Sequence, residues 1–411
     1  MDIAYDRIET LVSSKALKTT GIKMRISNVG LLLALFTPLL FAQENNSLSK
    51  NIFCHGHSPC AGKNPRIKNI TLIQEGARPH FSPAGDLIVF DRKNADGYYD
   101  IYVCDLEGRI VASLTEGKSG INQKNNGNAI FHPSGKFIVF TSEENEHMSP
   151  NNKYLGEPGV GLFNNLWATD LSGNHFWKLS RVPIKKSLWD RRTRAIATVN
   201  PHFSKDGTTL IWTERYDEGG HQNWGKWRIK AADFVIEGEQ PKLRNERILF
   251  TPTKGNYVTA MGFIDSQRIL LAGNLEGQHE YGMDQYSYDT TTHKLANLVN
   301  TPEFWEEGST ITPDGHIVYM TNQDSKYKFD FNKAWTAQPM ERDYYLMNSD
   351  GSAKERLTYF NDPKAPEYVG KTIMAVALDA SPNGQYLVST LVIGGQLRIA
   401  LIELRPLLVA R

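Results

Sequence analysis

The chain has 411 residues, and its 46 Lys and Arg balance 45 Asp and Glu to a formal net charge of +1. That balance excludes a polyanion-coating protein of the histone type and an acidic disordered tail. Hydrophobic residues make up 40% of the chain, with 18 Phe, 8 Trp and 17 Tyr. Such a chain can bury a sizeable core, which excludes global disorder. Three cysteines in this length exclude a disulfide-stapled miniprotein.

A short apolar segment near the N-terminus, VGLLLALFTPLLFA (29–42), follows Lys23 and Arg25. Its uncharged core is too short for the roughly 20 residues of a membrane-spanning helix. This layout is typical of a secretory signal peptide, so residues 1–42 are predicted to be one. Translation could instead start at Met24, in which case 1–23 would be a mispredicted extension. A buried core helix is the alternative. The mature protein is predicted to be periplasmic or secreted.

The segment CHGHSPC (54–60) suggests a covalent cross-link. It lies in the polar stretch that follows the predicted signal peptide. Export permits disulfides, and we predict one between Cys54 and Cys60. Cys104 then remains as a single thiol within a predicted strand. The alternative is a metal site that adds His55 and His57 to the two cysteines, since these are zinc-ligand types. Their spacing matches no common zinc pattern, and no cofactor is predicted.

An internal repeat organises most of the chain. Each copy is a strand, a tight turn and a second strand that is strongly apolar, as expected of a buried central strand. Pro or Lys, then a small polar residue and Gly, supplies the turn. A sixth copy (260–272) keeps the apolar positions but lacks the Pro and Gly. The five clear copies are RPHFSPAGDLIVF (78–90), NAIFHPSGKFIVF (128–140), NPHFSKDGTTLIW (200–212), GSTITPDGHIVYM (308–320) and ALDASPNGQYLVS (377–389).

A second module follows in most copies, consisting of a strand that ends in a polar four-residue turn. In each case a leucine lies six residues beyond the last turn position. A constant offset indicates that the third and fourth strands form the same hairpin each time. One repeat is therefore a four-stranded antiparallel unit. The copies are DIYVCDLEG (100–108), NLWATDLSG (165–173), QYSYDTTT (285–292) and YYLMNSDG (344–351).

The chain ends predict how the repeats close. A single sheet of this kind cannot bury both faces, so six are predicted to pack radially. After Gly384 only two strands follow, whereas RIKNITLIQEG (66–76) resembles the fourth strand RIVASLTEG (109–117). The N-terminal strand is thus predicted to complete the last blade, which removes free sheet edges. We predict an all-β fold: a six-bladed β-propeller of four-stranded antiparallel blades over 66–411, preceded by a linker over 43–65.

The blade pattern F-S-P-x-G-x-x-I-V-F, followed by D-x-x-G and a strand ending in Leu-Thr, resembles the WD-like repeat of TolB-type six-bladed propellers. The resemblance covers roughly residues 66–404. It implies a non-catalytic binding or scaffold module for a protein or a cell-envelope polymer. The α/β domain that TolB places before its propeller is not expected here. The motifs that show the resemblance most clearly are Phe81-Ser82-Pro83, Phe131-His132-Pro133, Thr312-Pro313-Asp314-Gly315 and Leu114-Thr115.

Residues near the start of each blade's first strand approach the central channel. His80, His202 and Asp379 occupy equivalent positions in three blades. They could converge on a divalent metal or act as acid and base, which gives the alternative function of a metal-dependent polysaccharide lyase or hydrolase. Because the word PHFS recurs, both histidines could instead belong to the blade framework. Two positions earlier lie three predicted ligand contacts: Arg78, Asn128 and Asn200.

Two insertions combine basic and aromatic residues on predicted loops. The segment 181–194 carries six Lys and Arg around Trp189, and 216–230 adds Trp224 and Trp227. Cations beside aromatics are suited to an anionic peptide tail or a sugar, and a solvated loop with one packed Trp is the alternative. We predict that the loop face binds a protein or an envelope polymer. A monomer is expected, without nucleic acid as a partner or a membrane span in the mature chain.

Overall fold

The computed structural model describes residues 52–56, 58–218 and 225–405, which form six four-stranded antiparallel sheets. The signal peptide predicted for 1–42 and the possible extension 1–23 lie outside the described residues, as do His57 and Trp224. The described residues contain no helix that is long and apolar enough to cross a membrane. Short 3₁₀ helices occur at Phe53–Gly56, Lys153–Gly156 and Trp335–Ala337.

The first three blades follow one another along the chain, each running from its innermost to its outermost strand. Blade 1 contains β2 (Ala77–Phe81), β3 (Leu87–Lys93), β4 (Tyr99–Asp105) and β5 (Ile110–Ser113). Blade 2 contains β6 (Asn126–Phe131), β7 (Phe137–Glu143), β8 (Asn164–Asp170) and β9 (Phe176–Lys178). Blade 3 contains β10 (Ala197–Phe203), β11 (Thr209–Asp217), β12 (Lys226–Glu237) and β13 (Gln240–Phe250).

Blades 4 and 5 repeat this order, and blade 6 takes its outer strand from the other end of the chain. Blade 4 contains β14 (Val258–Phe263), β15 (Arg268–Gly273), β16 (Asp284–Asp289) and β17 (Leu295–Asn297). Blade 5 contains β18 (Ser309–Ile311), β19 (His316–Thr321), β20 (Asp343–Asn348) and β21 (Glu355–Arg356). Blade 6 contains β22 (Ile373–Ala380), β23 (Tyr386–Ile393), β24 (Gln396–Leu404) and β1 (Ile67–Glu75).

The ring is closed by a strand from each chain end. Strand β1 pairs antiparallel with β24, and Ile70 lies opposite Ile402 in the register. Both side chains are fully buried. The innermost strands also contact each other all the way around, including β2 of blade 1 with β22 of blade 6. The predicted all-β, six-bladed propeller and its closure are therefore confirmed.

The repeat pattern explains the individual turns. Gly85 adopts a φ of 77°, which favours glycine, and its N–H donates to the carbonyl of Ser82 over 2.8 Å. The sixth copy has no glycine at this point. There the carboxylate of Asp265 accepts the N–H groups of Gln267 (2.9 Å) and Arg268 (2.8 Å), which stabilises the same hairpin. This side-chain cap replaces the lost glycine.

The described part of the predicted linker packs against the propeller. Cys54 and Cys60 are joined by a disulfide. The ring of Phe53 is fully buried 5.6 Å from the ring of Phe360, which follows β21. Cys104 is buried within β4, and burial raises the pKa of its thiol to about 12. The segment ahead of β1 therefore supplies core contacts to the closing region.

Candidate functional site

Bulges in the innermost strands shape the central channel. The register of β2, β6 and β10 shifts at equivalent points. Within these bulges Arg78, Asn128 and Asn200 take φ values of 50°, 51° and 49°. Asparagine tolerates this left-handed conformation, and a bulge re-aims the side chain beside it. The repeat thus brings all three predicted ligand contacts to the wall of one channel cavity of about 90 Å³.

Each of these three side chains bonds the framework. Arg78 donates from Nε (2.8 Å) and Nη2 (2.7 Å) to the buried carboxylate of Asp91. Burial alone would lower the pKa of Arg78, but the charge of Asp91 raises it, so the guanidinium stays ionised. The Nδ2 of Asn128 donates to the carbonyl of Pro158 (2.6 Å). Likewise Nδ2 of Asn200 donates to a threonine hydroxyl of blade 4 (2.8 Å). Their contacts are those of a scaffold.

His80, His202 and Asp379 converge in the channel, as their equivalent repeat positions require. Nδ1 of His80 lies 3.5 Å from Oδ2 of Asp379, and the His80 and His202 ring centroids are 6.0 Å apart. Asp379 also accepts the N–H of Phe81 (2.9 Å) and the hydroxyl of Thr310 (3.3 Å). The group therefore ties blade 6 to blades 1 and 5.

Electrostatics differ across this group. Burial, together with the charge of His80, lowers the pKa of His202 to about 3, so its ring is neutral at physiological pH. Burial would raise the pKa of Asp379, but the hydrogen bond and charge of His80 lower it below its ordinary value. The channel thus holds an ionised carboxylate beside one histidine and a neutral second histidine. This arrangement can hold or move a proton.

Space and ligand geometry limit what the channel can do. Across the ranges that the structure describes, no group of three or more His, Cys, Asp or Glu is placed to hold a metal ion. A cavity of about 90 Å³ accommodates about three waters at their liquid volume of about 30 Å³ each. Ligand pockets are commonly about 300–1,000 Å³. A sugar residue would need the channel to widen.

The two basic and aromatic insertions differ in exposure. Trp189 is 75% exposed, as expected for a loop residue. Trp227 is only 2% exposed, because it falls within β12 and packs edge-to-face on Tyr257 at 5.5 Å. It lines the channel cavity, so the expectation that it stands on a loop is corrected. Three cations of 181–194 form ion pairs: Lys185 with Glu218, Lys186 with Glu146, and Arg194 with Asp217.

A larger pocket of about 520 Å³ lies where blade 6 meets blade 1, on the face that carries the β1–β2, β3–β4 and β23–β24 connections. We call it the seam pocket. The connection between β19 and β20 forms its remaining wall. Its charged lining residues are Glu75, Arg92, Lys93 and Arg398. Its apolar side chains are Tyr99, Trp335, Met340, Met374, Val392 and Leu397.

The charges of the seam pocket are unevenly paired. Arg398 pairs with Glu75 inside the pocket, and Lys93 pairs with Glu157 at 2.6 Å. Arg92 instead lies over the ring of Tyr102, 4.3 Å from its centroid, and donates to the side-chain oxygen of Gln74 (3.2 Å). Within the described residues, no carboxylate forms an ion pair with Arg92. The pocket therefore carries an uncompensated positive charge.

The sequence interpretation missed the seam pocket. Its walls come from segments around residues 75, 92, 338, 374 and 396, and neither spacing nor periodicity links them. One available signal was Gly394-Gly395, a two-residue hairpin turn between β23 and β24. Another was the pair of cations that ends β3, which follows the apolar run 87–90 and Asp91.

Comparison with known proteins finds only distant structural likenesses among the matches described below. No family model matches the chain, and no curated protein matches it. TolB from Acinetobacter baumannii is similar at 15% identity and a TM-score of 0.45, over 79% of this chain and 66% of that one. An oligogalacturonate lyase in complex with manganese is similar at 12% identity and a TM-score of 0.46, over 84% of this chain and 95% of that one.

A puromycin-hydrolyzing peptidase from Mycobacterium tuberculosis is similar at 11% identity and a TM-score of 0.45, over 86% of this chain and 52% of that one. The chain thus spans just under two thirds of TolB and about half of the peptidase. These likenesses carry no functional conclusion, because their TM-scores lie below 0.5 and one fold hosts unrelated functions. The six-bladed architecture rests on the sheet topology of this chain.

Proposed function

We propose that the protein is an exported, TolB-like propeller that acts as a non-catalytic binding module for a protein or a cell-envelope polymer. The observation that carries this proposal is the seam pocket. Its volume of about 520 Å³ falls within the common range of ligand pockets, and its lining combines apolar side chains with a few charged groups. Loops held by a rigid scaffold are the usual place for binding residues.

Export is supported by the sequence ahead of the propeller. An apolar segment with basic residues before it is typical of a signal peptide. The disulfide between Cys54 and Cys60 fits an oxidising compartment, since such bonds rarely persist in the cytosol. These two features together support a periplasmic or secreted location.

The test fills the seam pocket without disturbing the core. Thr372 is exposed and lines the pocket, so Thr372→Trp places a bulky ring in it. Thr291 is exposed in the turn between β16 and β17, on the opposite face, and Thr291→Trp is the matched control. Short peptides and envelope oligosaccharides are screened against the wild-type protein by saturation-transfer NMR, and hits are titrated against both variants.

Binding to the wild type and to Thr291→Trp should be equal, and binding to Thr372→Trp at least tenfold weaker. Each bound compound should be recovered chemically unchanged. Hits that bind Thr372→Trp as well as the wild type would place binding elsewhere. Hits that are cleaved during the titration would contradict a non-catalytic role.

A second candidate function is a lyase or hydrolase that works in the channel. The observation that favours it is the convergence of His80, His202 and Asp379. An ionised carboxylate that orients one histidine, with a second neutral histidine nearby, suits general acid–base catalysis. The proposal predicts turnover of acidic oligosaccharides, with or without added divalent cation, that His80→Gln abolishes. Unchanged oligosaccharide after prolonged incubation with the wild type would reject it.

A further inference from the structure

We propose that the seam pocket takes the carboxylate-bearing end of a peptide chain from a protein partner, with Arg92 holding the carboxylate. This inference rests on the proposed binding function and names its ligand. It follows from the charge of the pocket, the composition of its walls and the shape of its mouth.

Arg92 is the group suited to hold an anion. A planar guanidinium presents parallel N–H donors that match a carboxylate, and its charge strengthens the hydrogen bonds. The ring of Tyr102 lies beneath it, and the hydroxyl of Tyr102 is itself fixed by a hydrogen bond to Glu116 (2.8 Å). Gln74 accepts one N–H at 3.2 Å. The guanidinium is thus oriented in advance, which lowers the entropy lost when a ligand binds.

The other charges favour a ligand that carries a negative group. Among the described residues that line the pocket, Arg92, Lys93 and Arg398 face a single carboxylate, that of Glu75. Glu75 forms an ion pair with Arg398. Lys93 forms an ion pair with Glu157, which does not line the pocket. An incoming carboxylate therefore meets one cation that lacks a carboxylate partner and two others close by. A ligand with a positive end would be repelled.

The walls favour a peptide over an acidic sugar. Sugars bind by stacking on an aromatic face, but the two described rings in the lining are almost covered, with Trp335 7% and Tyr99 1% exposed. The rest of the apolar wall consists of Met340, Met374 and Leu397 with one valine. Methionine side chains adapt to irregular apolar shapes, which suits the side chain of a peptide's terminal residue.

The mouth of the pocket is formed by a turn without side chains. Gly394 and Gly395 connect β23 to β24, directly after Ile393 pairs with Gln396. Both glycines are exposed and have φ values of 57° and 83°, a conformation that side chains rarely adopt. The turn therefore leaves room beside the pocket along which the rest of a peptide can run.

The experiment compares three probes by titration calorimetry: an N-acetylated tetrapeptide ending in leucine with a free carboxylate, its C-terminal amide, and digalacturonate. The wild type should bind the free carboxylate at least tenfold more tightly than the amide. Arg92→Gln should weaken binding of the carboxylate about tenfold and remove the preference over the amide. Arg92→Lys keeps the charge but loses the planar guanidinium. Its affinity for the carboxylate should lie between those of the wild type and Arg92→Gln.

Lys136→Gln is the matched control, because it removes one exposed positive charge on the opposite face of the propeller, in the turn after β6. It should bind all three probes as the wild type does, and urea unfolding of every variant checks that each is folded. Equal affinity for carboxylate and amide, an effect of Lys136→Gln as large as that of Arg92→Gln, or no carboxylate binding at millimolar concentration would overturn the inference.

The two proposals fail differently. Tighter binding of digalacturonate than of the peptide would overturn the peptide inference. If Thr372→Trp also weakens the binding of digalacturonate, the seam pocket remains the binding site. Hits that are cleaved during the titration, whichever site they bind, would instead contradict the proposed function itself.

Discussion

Closure of the ring predicts an energetic coupling between the two ends of the chain. Ile70 in β1 and Ile402 in β24 lie opposite each other, and both are fully buried. Replacing a buried isoleucine by alanine costs about 2–5 kcal/mol, so each single variant should lose that much stability. Side chains in contact show coupling of about 0.5–3 kcal/mol in a double-mutant cycle. The double variant Ile70→Ala with Ile402→Ala should therefore lose less than the sum of the single losses.

Urea unfolding followed by tryptophan fluorescence measures these free energies. Ile110 in β5 holds the corresponding outer position of blade 1 but is 42% exposed. Ile110→Ala should therefore change the unfolding free energy by no more than about 0.5 kcal/mol. Losses for Ile70 and Ile402 that add to within about 0.3 kcal/mol would refute the pairing of the chain ends. So would an Ile70→Ala variant as stable as Ile110→Ala.

Three further results are expected. Asp91→Ala removes the carboxylate that pairs with the buried Arg78 and should cost about 3–5 kcal/mol in urea unfolding. Loss of the exposed pair between Arg109 and Asp105 should leave the unfolding free energy almost unchanged. Burial holds the pKa of His202 at about 3, below its unfolded value of about 6.5. The unfolding free energy should therefore fall as the pH drops from about 6.5 to about 3, and His202→Gln should make this pH dependence shallower. Iodoacetamide should label Cys104 only after unfolding, and the two disulfide-bonded cysteines only after reduction; three labels without reductant would exclude the disulfide.

The fold was accessible from the sequence because its local signals agree with its long-range packing. The apolar run at Ile88, Val89 and Phe90 predicted a central strand, and all three side chains are fully buried in β3. The sixth copy was recognisable without its glycine because the apolar positions persist, while Asp265 caps the turn. Repetition also placed His80, His202 and Asp379 at equivalent points, which is why they converge.

The candidate binding site was not accessible in the same way. The seam pocket depends on how the last blade abuts the first, so Arg92 and Met374 line the same pocket only because the ring closes. The exposure of aromatic residues was equally undetermined by composition. Trp189 and Trp227 share basic surroundings in the sequence, yet only the first lies on a loop, because β12 begins at Lys226.

The most direct test of a binding face at the seam is backbone hydrogen exchange of the wild-type protein, with and without saturating free-carboxylate tetrapeptide. Protection should increase in the segments 92–99 and 392–398, which line the pocket from blade 1 and blade 6. Protection confined to the basic loop 181–194, or to the turns of the opposite face, would contradict the account.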